Sequence, residues 1–140
     1  MKKLVLLLIV SVSLEFAVAM TRAQLKKTLT IMKNQCKDKM GIPESKIANI
    51  EKGDFKEDPD VKCYVACVYK TIQVIKNDKL NMEMVMKQVD ILYPPDMKAA
   101  VKATIKQCIV VQDDYNEFCD RVFYAAKCLY EKDPPNFVFP

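Results

Sequence analysis

The chain has 140 residues, with 22 Lys and Arg against 18 Asp and Glu, and no histidine. That is the length of one ordinary domain, and a net charge of +4 spread without blocks points to neither nucleic acid nor an anionic membrane as partner. Six cysteines without histidine also argue against a zinc site, which favours reduced thiolates at short paired spacings, usually with histidine.

The first residues, MKKLVLLLIVSVSLEFAVAM, combine a Lys2-Lys3 head, an apolar run from Leu4 and a small-x-small end at Ala17-Val18-Ala19. This is the pattern of a secretory signal peptide. Ser11, Ser13 and Glu15 interrupt the run before it reaches the roughly 20 apolar residues of a membrane-spanning helix. Residues 1–19 are therefore expected to be removed, leaving residues 20–140 as one secreted domain with no stable membrane insertion. All six cysteines lie in that part, and an even count in a secreted chain reads as three disulfides.

There are only two glycines, Gly41 and Gly53, and prolines cluster at segment edges, which favours an all-α fold. Leu25, Leu29, Met32 and Cys36 recur at helical spacing from Arg22, and Gly41 closes that element. Pro43 opens a short second helix that carries Ile47 and Ile50 and ends at Gly53. A third helix is expected from Pro59 to about Ile75, where KNDK breaks the pattern. Met82, Val85, Met86 and Val89 form the stripe of a fourth. Pro94-Pro95 stops it and starts a fifth, with Met97, Val101, Thr104, Ile105 and Cys108 on one side. A sixth should begin near Asp114, with Glu117 completing a capping box, and run to about Tyr130. The remaining EKDPPNFVFP reads as a non-helical tail whose apolar end would be a costly exposed patch unless covered.

On the third helix, Cys63, Cys67 and Val74 fall on one side, while Val65, Val68, Tyr69 and Ile72 gather nearly opposite. One face must be stapled to neighbours, and the other must look onto something apolar. In the sixth helix Cys119 and Cys128 lie about 13.5 Å apart along the axis, beyond the roughly 4.4 to 6.8 Å a disulfide spans. A Cys63–Cys67 bridge would demand poor geometry on an intact helix. Excluding both leaves about ten of the 15 possible pairings.

No chemistry-bearing constellation stands out. Histidine is absent, the cysteines belong to bridges, and no phosphate loop or serine elbow occurs. The spacing of Cys63 and Cys67 is not that of a thioredoxin-like redox motif. Asp58/Asp60 and Asp113-Asp114 sit where helix starts are expected and read as capping groups. An enzyme, a metal and a cofactor are therefore not expected.

The pattern Cys36-x26-Cys63-x3-Cys67-x40-Cys108-x10-Cys119-x8-Cys128 resembles that of six-cysteine insect odorant-binding proteins. KCYVAC, CDRVFYAAKC and the closing FVFP are similar to the LUSH-like subgroup, as is a mature start at Met20-Thr21. The resemblance implies a six-helix, disulfide-stapled bundle around an apolar cavity with the tail folded over it. It also implies bridges Cys36–Cys67, Cys63–Cys119 and Cys108–Cys128. Positions matching cavity walls are Met32, Val65, Tyr69, Ile72, Val74, Leu80, Val85, Met86, Val89, Leu92, Val122, Ala126 and Leu129, with Phe137 and Phe139 from the tail. Phe139 is expected to lie closest to the ligand. Where some relatives place small hydroxyl residues for an alcohol, this chain has Tyr69 and Val74, leaving Tyr69, Thr71 and Gln73 as nearby polar candidates.

The function so implied is a secreted carrier of small hydrophobic molecules, odorants or pheromones, through sensillar lymph to an olfactory receptor, as a monomer or weak homodimer. A non-olfactory carrier in haemolymph, saliva or reproductive fluid would share these features. A secreted helical signalling or defence protein would instead have a filled core. Without histidine, any acid response must act through carboxylates, including that of Pro140.

Overall fold

Thr21 starts the first helix by reciprocal capping: its hydroxyl accepts the Gln24 N–H at 3.2 Å, while the Gln24 side chain accepts the Thr21 N–H at 2.8 Å. The computed structural model describes residues 19–140. The expected signal peptide therefore lies, except for Ala19, outside the described residues.

Among the described residues six α-helices follow in order: α1 (Arg22–Met40), α2 (Glu44–Ile47), α3 (Pro59–Thr71), α4 (Met82–Leu92), α5 (Pro95–Cys108) and α6 (Phe118–Lys132). A two-stranded hairpin, β1 (Ile75–Lys76) and β2 (Lys79–Leu80), separates α3 from α4, and 3₁₀ turns occupy Ile50–Lys52, Ile109–Asp114 and Pro134–Asn136. Gly41, at φ +63°, caps α1, and Gly53, at φ +93°, caps the first 3₁₀ turn. A side chain at Gly53 would strike the Tyr130 ring, whose hydroxyl donates to the Lys52 carbonyl at 2.9 Å.

Several local expectations are corrected. The third helix stops at Thr71, short of Ile75, because Gln73 turns into the left-handed region at φ +63°. KNDK is then a tight antiparallel hairpin turn, with Asn77 and Asp78 both at positive φ. Val74 thus leaves the helix and does not share the cysteine face. The sixth helix begins at Phe118, not near Asp114, and Glu117 makes no side-chain cap. Ile109 and Gln112 are both buried, and a spacing of three suits a 3₁₀ turn, which eclipses i and i+3. α6 runs past Tyr130 to Lys132, and the tail contains one 3₁₀ turn started by Pro134. Asp58 does cap α3, accepting the Asp60 N–H at 2.8 Å, whereas Asp113 pairs with Lys79 of the hairpin at 2.9 Å. Met82, counted with the stripe of α4, is exposed.

The bridges join Cys36 to Cys67, Cys63 to Cys119 and Cys108 to Cys128, with Cα separations of 5.9, 4.7 and 5.6 Å. α3 is thereby tied to α1 and to α6, and the end of α5 to α6. Each closes a loop of tens of residues, a constraint of about 3 to 4 kcal/mol on the chain-entropy account.

Two apolar clusters fill the interior. One gathers Val61, Tyr64, Val65, Val68, Val122 and Phe123 between α3 and α6, and the other gathers Leu25, Leu29, Val89, Met97, Val101 and Ile105 between α1, α4 and α5. Ile72, Val85 and Leu129 touch both. The extended tail sews the seam, because alternate side chains point to opposite sides. Phe137 and Phe139 join the first cluster, and Val138 joins the second.

Candidate ligand cavity

A cavity of about 80 Å³ lies at this seam. Val68 and Tyr69 reach it from α3, and Ile72 and Val74 from the turn beyond. Val85, Val89 and Leu92 form the α4 wall, Leu129 comes from α6, and Phe139 closes it from the tail. A side chamber of about 30 Å³ and a smaller one of about 20 Å³ adjoin it, sharing Tyr69 and Leu129.

Ten of the fifteen positions singled out in the sequence border this space. Leu80 borders the smallest chamber and Phe137 the side chamber, and the other eight face the main cavity. Val65, Val122 and Ala126 are instead sealed in solid core at 0, 0 and 1% exposure. They precede Tyr69 and Leu129 by one or two helical turns, and the cavity is shorter than the stripes that lead to it. Met32 and Met86 are half-buried against the second cluster, off the wall.

The wall also includes Val138, within the tail segment expected to cover it, and residues the sequence left unassigned: Leu25, Leu29, Val68, Gln88, Tyr93, Val101, Ile105 and Pro140. The stripes of α1 and α5 marked four of these as apolar face without distinguishing cavity from core. Tyr93 carried no signal of that kind, since Pro94 forces it into extended backbone at ψ 145°, off the α4 stripe.

The wall is apolar with a few neutral polar groups. Burial pushes the Tyr69 phenol well above its ordinary range and the Tyr93 phenol up to about 12, the latter against the pull of the Arg22 guanidinium. Both are uncharged donors at any physiological pH. Thr71, a polar candidate in the sequence, turns away and donates to the Cys67 carbonyl at 2.9 Å, and Gln73 is exposed. Among the described residues no group of acidic or cysteine side chains is arranged to hold a metal, and no helix is long and apolar enough to cross a membrane.

A helical bundle stapled around an apolar chamber is the architecture of a binding protein for small molecules. The chain belongs to the PBP/GOBP family, whose pattern matches residues 18–132. It is 32% identical to general odorant-binding protein 72 of Anopheles gambiae over 122 residues, 87% of this chain and 100% of that one. It is 29% identical to general odorant-binding protein 19a of Drosophila melanogaster, covering 100% of both. The crystal structure of odorant binding protein 4 of Chrysopa pallens superposes with a TM-score of 0.77 at 32% identity, covering 86% of this chain and 99% of that one.

Proposed function

We propose that the chain is a secreted carrier that encloses a small hydrophobic molecule at the seam between its two clusters and delivers it through sensory lymph to a receptor. The ligand contacts are the cavity-facing positions named above, with Phe139 as the tail's part of the wall. The observation that carries this reading is the apolar chamber itself, lined from five helices and covered by the tail.

Affinity comes from burying ligand carbon, at about 25 cal/mol per Å². The chamber of about 80 Å³ is smaller than the roughly 150 Å³ apolar cavity that admits benzene. Most odorant-sized guests therefore require the walls to yield. The half-buried methionines Met32 and Met86, adaptable in shape, stand behind the wall where such repacking would occur.

The test is displacement of N-phenyl-1-naphthylamine from the oxidised protein by a panel of volatile alcohols, esters and long-chain compounds. Saturable binding that is lost on reduction is expected, and a protein that takes up no probe is not a carrier. Detection of the protein in antennal lymph tests delivery. Confinement to haemolymph, saliva or reproductive fluid would replace the olfactory role with a general one.

A further inference from the structure

Tyr115 and Tyr124 stack face to face, with ring centroids 4.2 Å apart and planes 8° from parallel. Every other aromatic contact among the described residues spans 5.2 Å or more, and no other pairs two tyrosines. Both residues are half-buried, so solvent reaches the stack. Neither lines the cavity or its two chambers, and the carrier reading leaves the pair without a part to play.

The stack is held from both sides. Tyr115 closes the 3₁₀ turn at Ile109–Asp114: its N–H donates to the Gln112 carbonyl at 3.4 Å, and its own carbonyl accepts from Arg121 Nε at 2.8 Å. Tyr124 lies in the second turn of α6, where Lys62 Nζ donates to its hydroxyl at 3.3 Å and stands 4.9 Å from its ring centroid. Asp120, at 2.9 Å, fixes Lys62 in turn. Few other groups compete for an oxidant. The chain has no tryptophan and no free cysteine. Tyr64 is sealed in the core, Tyr69 and Tyr93 face the cavity, and the Tyr130 hydroxyl donates to the Lys52 carbonyl.

We propose that Tyr115 and Tyr124 form an oxidative cross-linking site, joined into an intramolecular dityrosine by a peroxidase-type one-electron oxidant that consumes hydrogen peroxide. Each phenol gives up its hydroxyl proton and one electron, and the peroxide takes up both protons and both electrons to become two waters. The resulting phenoxyl radicals carry unpaired density on the carbons ortho to oxygen, in π lobes normal to the ring. A face-to-face stack points those lobes at one another, the alignment that a bond between the rings needs. As the carbon–carbon bond forms, the two ortho hydrogens move from carbon to the phenoxyl oxygens and both rings regain aromaticity. The protein gains one covalent bond and loses two hydrogens. That bond ties the exit of the 3₁₀ turn, whose Gln112 holds the hairpin at Leu80, to α6.

The test treats the native protein, bridges intact, with a peroxidase and hydrogen peroxide, while N-acetyltyrosine in a parallel reaction shows that the oxidant is active. The monomer fraction should gain the blue fluorescence of dityrosine and lose the mass of two hydrogens. After reduction, trypsin should release residues 107–121 joined to residues 122–127, since Lys106, Arg121 and Lys127 bound those peptides. Tyr115→Phe and Tyr124→Phe, which keep both rings, should each lose this product, and Tyr130→Phe should retain it. Oxidation of the exposed Met82 adds oxygen and is told apart by mass. A monomer without dityrosine, a cross-link confined to dimers, or one that survives either of the first two substitutions overturns the assignment.

Discussion

Arg22 Nη1 donates to the Pro135 carbonyl at 2.6 Å, joining the first turn of α1 to the tail across 113 positions of sequence. A second bond, from Nη2 to the Phe137 carbonyl at 3.4 Å, is longer. Both clasp the tail where it crosses the seam. Removing them in Arg22→Ala should destabilise the fold by about 1 kcal/mol, since the bonds are partly solvated. The larger effect should be local: amide exchange at Phe137 to Phe139 should speed several-fold while that of α3 stays unchanged. Uniform acceleration across both would show that Arg22 supports the whole bundle and not the strap.

Helix order was legible in the sequence because prolines, glycines and apolar stripes mark it, as the boundaries at Gly41, Pro59 and Pro94-Pro95 illustrate. What was not legible depended on tertiary partners. The 3₁₀ turn at Ile109–Asp114 exists because Gln112 turns inward to bond Leu80, and nothing local to IVVQDD announces that. The cavity wall was legible as a set of stripes but not in its length. Val65 and Tyr69 share a face one turn apart, yet one is sealed in core and the other borders the chamber. Periodicity reports which side of a helix is apolar and is silent on whether that side meets another side chain or a void.

Phe139 fills the seam from the tail, with ring centroids 6.1 Å from each of Tyr64, Tyr69 and Phe137. Truncation to Ala removes a buried aromatic and should cost about 3 kcal/mol, the lower part of the usual range because a chain end can settle into the space. The same change enlarges the chamber. Bulky guests should gain affinity relative to small ones, and urea unfolding together with probe displacement measures both effects. A loss of stability with no change in relative ligand size preference would place Phe139 outside the wall.

Alkaline pH should destabilise the protein, for two groups with the same sign. Lys62, held by Asp120 at 2.9 Å and by the Tyr124 hydroxyl at 3.3 Å, is raised from 10.5 to about 12. Its contribution is complete below 10.5 and lost as pH rises through the folded value. Burial raises Tyr93 from 10.0 to about 12, so the native state holds a proton that the unfolded chain has released, and stability again falls over that interval. Thermal unfolding should weaken from about pH 10 to pH 12, and absorbance at the tyrosinate band should show Tyr64, Tyr69 and Tyr93 ionising late. Lys62→Met should reduce the alkaline slope. With no histidine in the chain, a stability midpoint near pH 6 would point to a perturbed carboxylate instead.

Gln112 is the buried polar side chain that fixes the hairpin over the cavity. At 7% exposure its Oε1 accepts the Leu80 N–H at 2.7 Å and its Nε2 donates to the Leu80 carbonyl at 3.1 Å. The side chain thereby imitates the backbone of a neighbouring strand and satisfies both main-chain groups of a buried residue. Gln112→Leu keeps the volume but leaves those two groups unpaired, so the cost should follow desolvation, not packing, at about 2 to 4 kcal/mol. Because Leu80 borders the smallest chamber, probe affinity should fall as well, by several-fold. Gln112→Glu separates the two bonds: ionised, its carboxylate can accept from the Leu80 amide but cannot donate to the carbonyl, whereas protonated at low pH it can do both, so its stability relative to Gln112→Leu should rise as the pH falls. Equal stability of all three proteins in urea would mean that the hairpin is held by Leu80 packing alone.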